Sequence, residues 1–100
     1  MSEVARFFED VKRNVEGLRG DKTVHRATKA WIDAIAPHKY AYNFTWMGRP
    51  IIQFPQDLAA LQEITWRTRP DLIIETGVAH GGSLIFHASM LQLLGGGKVI

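Results

Sequence analysis

Residues 71–83 read DLIIETGVAHGGS, and the fold turns on this stretch. Leu72, Ile73 and Ile74 are consecutive and apolar, which predicts a short strand covered on both faces, as in parallel sheets. Glu75 closes the strand at its carboxyl end. A glycine-bearing turn follows through Gly77, Gly81 and Gly82, and Ser83 opens a helix. Open α/β folds build small-molecule sites from this succession, in the crevice beyond the carboxyl ends of the strands.

Toward the carboxyl terminus, the helix from about Gly82 to Leu94 carries Leu84, Ile85, Phe86, Ala88, Met90, Leu91, Leu93 and Leu94. Its polar members Ser83, His87, Ser89 and Gln92 do not gather on one face. A helix apolar almost all round is expected to be buried on several sides. Gly95, Gly96 and Gly97 make a turn, and Lys98, Val99 and Ile100 begin a second parallel strand. A crossover unit cut inside its second strand leaves an unpaired edge. The expectation is therefore the amino-terminal part of a larger α/β protein; the alternative is a small domain that completes its core as a homo-oligomer.

Toward the amino terminus, Pro70 bars the continuation of a helix opened by Gln56 and Asp57, in which Leu58, Leu61, Ile64 and Thr65 share a face. Met47 to Pro50 reads as a turn, and Ile51, Ile52 and Phe54 as an apolar extended run closed by Pro55. From Lys39 the period is two: Tyr40, Tyr42, Phe44 and Trp46 alternate with Lys39, Ala41, Asn43 and Thr45, predicting an extended segment with one aromatic face. Such a face could stack bases, but no basic groove surrounds it, and packing or the wall of a small-molecule pocket is the better reading.

Two amphipathic helices precede it. Val4, Phe7, Phe8, Val11, Val15 and Leu18 fall at helical spacing between a Ser2 cap and Gly20, with acids early and bases late as the helix dipole favours. A second helix runs from about Thr23 to Ala36, with Asp21 or Thr23 as cap and Pro37 as terminator. The organisation expected is a helical segment at 1–38, an aromatic extended segment and helix at 39–69, and the first βαβ portion at 70–100.

Composition narrows the function. With 46% hydrophobic and 22% charged residues in 100, the chain is ordinary globular protein. It has no apolar run of the roughly 18 residues that span a bilayer, no secretory signal pattern, and no cysteine for disulfides, thiolate metal sites or a thiol nucleophile. A cytoplasmic setting is expected. Residues 1–50 hold nine Lys/Arg against six Asp/Glu and residues 51–100 three against four, an asymmetry too mild and too interspersed for a nucleic-acid surface.

The turn carries the chemistry. Gly77, Ala79 and Gly82 have the spacing of the dinucleotide fingerprint, but with alanine where a glycine normally lets the pyrophosphate approach. S-adenosylmethionine has no phosphate. It needs a tight turn beneath its methionine end, amides at a helix amino terminus for its carboxylate, and an acid near its ammonium and sulfonium. Gly77, the Gly81 to Ser83 amides and Glu75 can supply these in turn. The candidate cofactor-binding residues are Glu75, Gly77, Val78, Ala79, His80, Gly81, Gly82 and Ser83, with His80 the best-placed histidine for touching a ligand. On the turn alone, a methyl donor, a dinucleotide and no ligand at all stay open. No Lys-Ser/Thr pair follows the glycines, which excludes a phosphate loop, and no Gly-x-Ser-x-Gly elbow or histidine-acid-serine cluster appears. His25, His38, His80 and His87 lack the spacing of metal ligands.

Taken together, Phe44 to Leu91 resembles the cephalosporin hydroxylase family, which includes rhamnosyl O-methyltransferases. Two separated signatures carry the likeness: Trp46, Gly48, Pro55 and Asp57, then Glu75, Gly77, Gly81, Gly82 and Ser83. The resemblance implies a Rossmann-like class I methyltransferase fold, S-adenosylmethionine at the turn, and methyl transfer to a hydroxyl of a sugar, antibiotic or other small molecule. It further implies assistance by a divalent metal such as magnesium, held by acids beyond Ile100, and Phe44, Trp46 and Met47 as a pocket wall. An NAD(P)-dependent oxidoreductase and a non-catalytic binding or assembly module are the alternatives.

Overall fold

The computed structural model describes residues 2–100, which divide into two compact units, one ending at Pro37 and the other spanning His38–Ile100. In the first, helix α1 (Glu3–Gly20) starts where the Ser2 hydroxyl accepts a hydrogen bond from the Ala5 amide. Helix α2 (Lys22–Ile35) starts where the Asp21 carboxylate accepts from the amides of Thr23 and Val24. Neither helix buries a residue. The apolar stripe of α1, including Phe7 and Phe8, is exposed. No helix among the described residues is long and apolar enough to cross a membrane.

The second unit is mixed α and β. Strands β1 (Phe44–Trp46) and β2 (Arg49–Ile51) form an antiparallel hairpin in which Phe44 faces Ile51 and Trp46 faces Arg49. The connection is two residues, Met47 and Gly48, both at positive φ, as in the type I′ turn whose twist matches that of paired strands. Helix α3 (Pro55–Thr68) has proline in its first turn, where the missing amide costs nothing, and ends at Arg69 in the left-handed region. Strand β3 (Leu72–Ile73), helix α4 (Gly82–Leu93) and strand β4 (Lys98–Val99) then make a parallel crossover. Its ladder runs from the Lys98 amide to the Asp71 carbonyl, from Ile100 to Ile73 and from Glu75 to Ile100, at 2.7–3.0 Å.

The core lies around α4. Phe86 and Leu91 of that helix and Ile51 of β2 are each 2% exposed. Trp46 meets Phe86 edge to face with ring centroids 4.9 Å apart, an arrangement that adds about 0.5–1.5 kcal/mol to the area buried. Helix α4 touches the hairpin, β4 and α3, which is why its apolar residues encircle it, although Leu93 remains exposed. The strand after the glycine turn is parallel, as its sequence implies.

Three local expectations are corrected. Residues Tyr40–Tyr42 form a 3-10 turn, not extended backbone. Lys39 enters it in the left-handed region, and the Asn43 amide nitrogen donates back to the carbonyls of Lys39 and Tyr40, the local competition by which asparagine breaks a strand. The aromatic residues consequently part company: Tyr40 packs on Phe44 and Phe54, whereas Trp46 packs on Phe86. Arg49 and Pro50 belong to β2 and not to a turn, with Pro50 tolerated because a strand of a two-stranded hairpin has an open edge. Finally, one face of the β3 stretch is uncovered among the described residues, with Ile74 68% exposed, and Ile64 of α3 is exposed as well.

Candidate functional site

Strand β3 delivers Glu75 to the mouth of the crossover, and α4 begins seven residues later at Gly82. Between them the sign of φ alternates: Gly77 at +77°, Ala79 at +49° and Gly81 at +86° are positive, and the residues between them are not. That alternation coils the backbone tightly enough to bring the Gly81 amide within 2.9 Å of the Val78 carbonyl. Glycine adopts positive φ without steric cost, while alanine at 79 pays for it with close contacts of its β-carbon.

A cleft of about 290 Å³ opens at this turn. Glu75, Gly77, Val78, Ala79, His80, Gly82 and Ser83 line it, which brings together seven of the eight residues singled out by sequence; Gly81 is not in the lining. The opposite wall comes from the end of β2, Pro50 to Gln53. Phe44, Trp46 and Met47 do not line it. Phe44 meets Tyr40 edge to face, the Trp46 indole donates to the Ser89 hydroxyl at 3.2 Å, and Met47 stands at the exposed hairpin tip.

Two features give the cleft its polarity. The carboxylate oxygen Oε2 of Glu75 is buried with no hydrogen-bond partner, an arrangement that is costly unless a cation or donor joins it. Helix α4 presents its first turn to the same space, with Gly81 as an N-cap that contributes no side-chain hydrogen bond. The first amides of a helix have no intrahelical acceptor and carry the positive end of its dipole. A lone acid and a helix amino terminus therefore meet in one cleft, suited to a small zwitterion whose ammonium and carboxylate are both recognised.

Sequence reading missed the part played by β2. A β-carbon on Gly82 would lie 2.2 Å from the Pro50 carbonyl oxygen, so this glycine admits the hairpin rather than a ligand, the helix–strand role of the third fingerprint glycine. Arg49 also reaches the turn: its Nε and Nη2 both donate to the His80 carbonyl, at 3.2 and 2.9 Å. The Met-Gly pair between two apolar runs was the available signal for the hairpin. Among the described residues no group of three or more His, Asp or Glu is placed to hold a metal ion.

Comparison with known proteins gives a consistent picture. The family model described as Rhamnosyl O-methyltransferase/CmcI matches residues 38–100. The Rhamnosyl O-methyltransferase of Mycobacterium leprae (strain TN) is 38% identical over 71 residues, an alignment that covers 63% of this chain and 31% of that protein. The chain thus spans under a third of the length of the curated relative it matches. No solved structure matches it.

Proposed function

The chain belongs to the rhamnosyl O-methyltransferase/CmcI family, and from that premise we propose that it forms the first half of the cofactor site of an S-adenosylmethionine-dependent O-methyltransferase. The parallel β3–α4–β4 unit supports a Rossmann-like class I methyltransferase core at residues 70–100, with 39–69 leading into it and 1–38 as a separate helical segment. The observation that carries the reading is that Glu75, whose Oε2 is buried and unpartnered, lines the same cleft as the amino terminus of α4.

When bound, S-adenosylmethionine supplies a methyl group made electrophilic by its sulfonium. The Gly82 and Ser83 amides would bind its carboxylate, and Glu75 its ammonium, through charge-assisted hydrogen bonds. Val78, Ala79 and His80 would close over the methionine end, and Pro50 to Gln53 would limit the depth of the cleft. These residues bind and orient, and orientation is itself a large part of catalysis of transfer between two held reactants. The acceptor we propose is a hydroxyl of a sugar or other small molecule, in keeping with the name of the relative. A divalent metal that lowers the acceptor's pKa belongs to the same proposal and would take its ligands from other residues.

Calorimetry of the complete protein with S-adenosylmethionine tests this. Saturable binding that is abolished by Gly81→Val and weakened by Glu75→Ala is the expected result. Absence of binding, or binding undiminished by either substitution, would overturn it, and saturable NAD binding in its place would favour a nicotinamide-dependent oxidoreductase.

A further inference from the structure

We infer that Arg49 is a positioning residue for the glycine turn: from β2 it holds the turn in the form that presents the first amides of α4 to the cleft. The inference rests on the cofactor reading above for its consequence, though not for its geometry.

The turn needs an outside restraint. It places positive φ at residues 77, 79 and 81, one of them an alanine, and its N-cap Gly81 supplies no side-chain hydrogen bond. Glycines lower the cost of this conformation but also leave many others open to the free segment. Gly77 and Gly81 have open space or only ordinary contact around them, since a β-carbon at Gly77 would meet nothing within 4 Å and one at Gly81 only the Arg49 guanidinium, at 3.9 Å. Packing therefore does not fix these two residues.

Arg49 does. Its two donors converge on the carbonyl of His80, which belongs to the peptide unit leading into Gly81. Holding that oxygen sets the tilt of the peptide plane whose amide bonds to Val78. The arginine is itself placed by the hairpin: it pairs with Trp46 across the ladder, Trp46 is tied to Ser89 of α4, and the next residue, Pro50, rests its backbone on Gly82. The turn is thus referenced to the same helix whose amino terminus it forms. Lysine at 49 would bring a single point charge in place of the planar fork.

The alternative is a solvated cation whose contact contributes little, since the hydrogen bonds are exposed. Amide hydrogen exchange across residues 78–84 of the unliganded full chain separates the two, together with calorimetry with S-adenosylmethionine and thermal unfolding. Arg49→Ala is expected to speed exchange in the turn and to weaken cofactor binding, each by roughly tenfold, the effect of losing a hydrogen bond to a charged group. The melting temperature should change little, and Arg49→Lys should restore only part of both effects. Unchanged exchange in Arg49→Ala overturns the inference, as does faster exchange with undiminished affinity. Should the wild-type chain bind no S-adenosylmethionine while Arg49→Ala still loosens the turn, the cofactor reading fails and the hold of Arg49 on the turn stands. If Arg49→Ala does not fold, Arg49→Gln, which keeps one donor, serves in the same comparison with the same two outcomes.

Discussion

Gly82 and Pro50 are in backbone contact: a β-carbon on Gly82 would sit 2.2 Å from the Pro50 carbonyl oxygen, 2.7 Å from its carbonyl carbon and 2.8 Å from the Ile51 β-carbon. None of these atoms is the far end of a flexible side chain, so relief requires the hairpin to lift from α4. Gly82→Ala should destabilise the chain by about 1–3 kcal/mol, the usual cost of overpacking, and should widen the cleft that the hairpin bounds. Gly77→Ala tests the contrast, because Gly77 has open space but a φ of +77°, and its loss should be about 1–2 kcal/mol from conformation alone. Urea unfolding of both variants decides. A larger loss at Gly77 than at Gly82 would mean that the hairpin does not press on the helix.

Trp46 gives a second measure of the same docking. Its ring packs on buried Phe86, and its indole nitrogen donates to Ser89, whose hydroxyl in turn donates to the Ile85 carbonyl at 2.7 Å. Trp46→Phe keeps much of the ring contact and loses the hydrogen bond, for about 1 kcal/mol. Trp46→Ala removes both, for about 3–5 kcal/mol. Equal losses in the two variants, measured by denaturant unfolding, would show that the ring contributes nothing.

How much of this was legible in advance follows from the range of the forces involved. The helices and the parallel pair were readable because their signals are local: the Ser2 and Asp21 caps, the Pro55 and Pro70 boundaries, and the glycines before β4. The turn was readable for the same reason, as a strand end, an acid and glycines in sequence. What was not readable depends on contacts between residues distant in the chain. Period-two aromatics at Tyr40–Trp46 satisfied a strand template, yet the Asn43 side chain satisfied the backbone locally and Tyr40–Tyr42 formed a 3-10 turn, so that only Phe44–Trp46 is strand. The partnership of Arg49 with His80 spans 31 residues, and nothing in either neighbourhood announces it. Gly82 was legible as a necessary glycine, but its reason was a hairpin carbonyl, which no local pattern reveals.

Asp21 joins two helices, and its loss should be felt in the one it starts. Its carboxylate oxygen accepts from the Thr23 amide at 2.9 Å and the Val24 amide at 3.3 Å, while its own amide donates to the Leu18 carbonyl at the end of α1. Asp21→Ala should cost about 1 kcal/mol of helix stability, seen as reduced ellipticity at 222 nm and faster exchange of the first-turn amides of α2. Asp21→Asn, which keeps an accepting oxygen, should recover most of it. If the asparagine variant behaves like alanine, the side-chain cap is not what starts α2.

Glu75 should show opposite effects on stability and on binding. Its Oε2 is buried without a partner in the unliganded chain, so the side chain leaves an unmet acceptor in the fold while offering a negative charge to a cationic ligand. Glu75→Gln replaces that charge with a neutral amide of nearly the same shape. The unliganded variant should therefore unfold at equal or higher denaturant concentration than the wild type. Its affinity for S-adenosylmethionine should fall by roughly tenfold or more, because a charge-assisted hydrogen bond becomes a neutral one. S-adenosylhomocysteine retains the ammonium and lacks the sulfonium, so comparing the two ligands identifies which cation Glu75 meets. Similar losses for both place the carboxylate at the ammonium, and a loss confined to S-adenosylmethionine places it at the sulfonium. A variant that is less stable yet binds both ligands as the wild type does would remove Glu75 from the site and make it a structural acid.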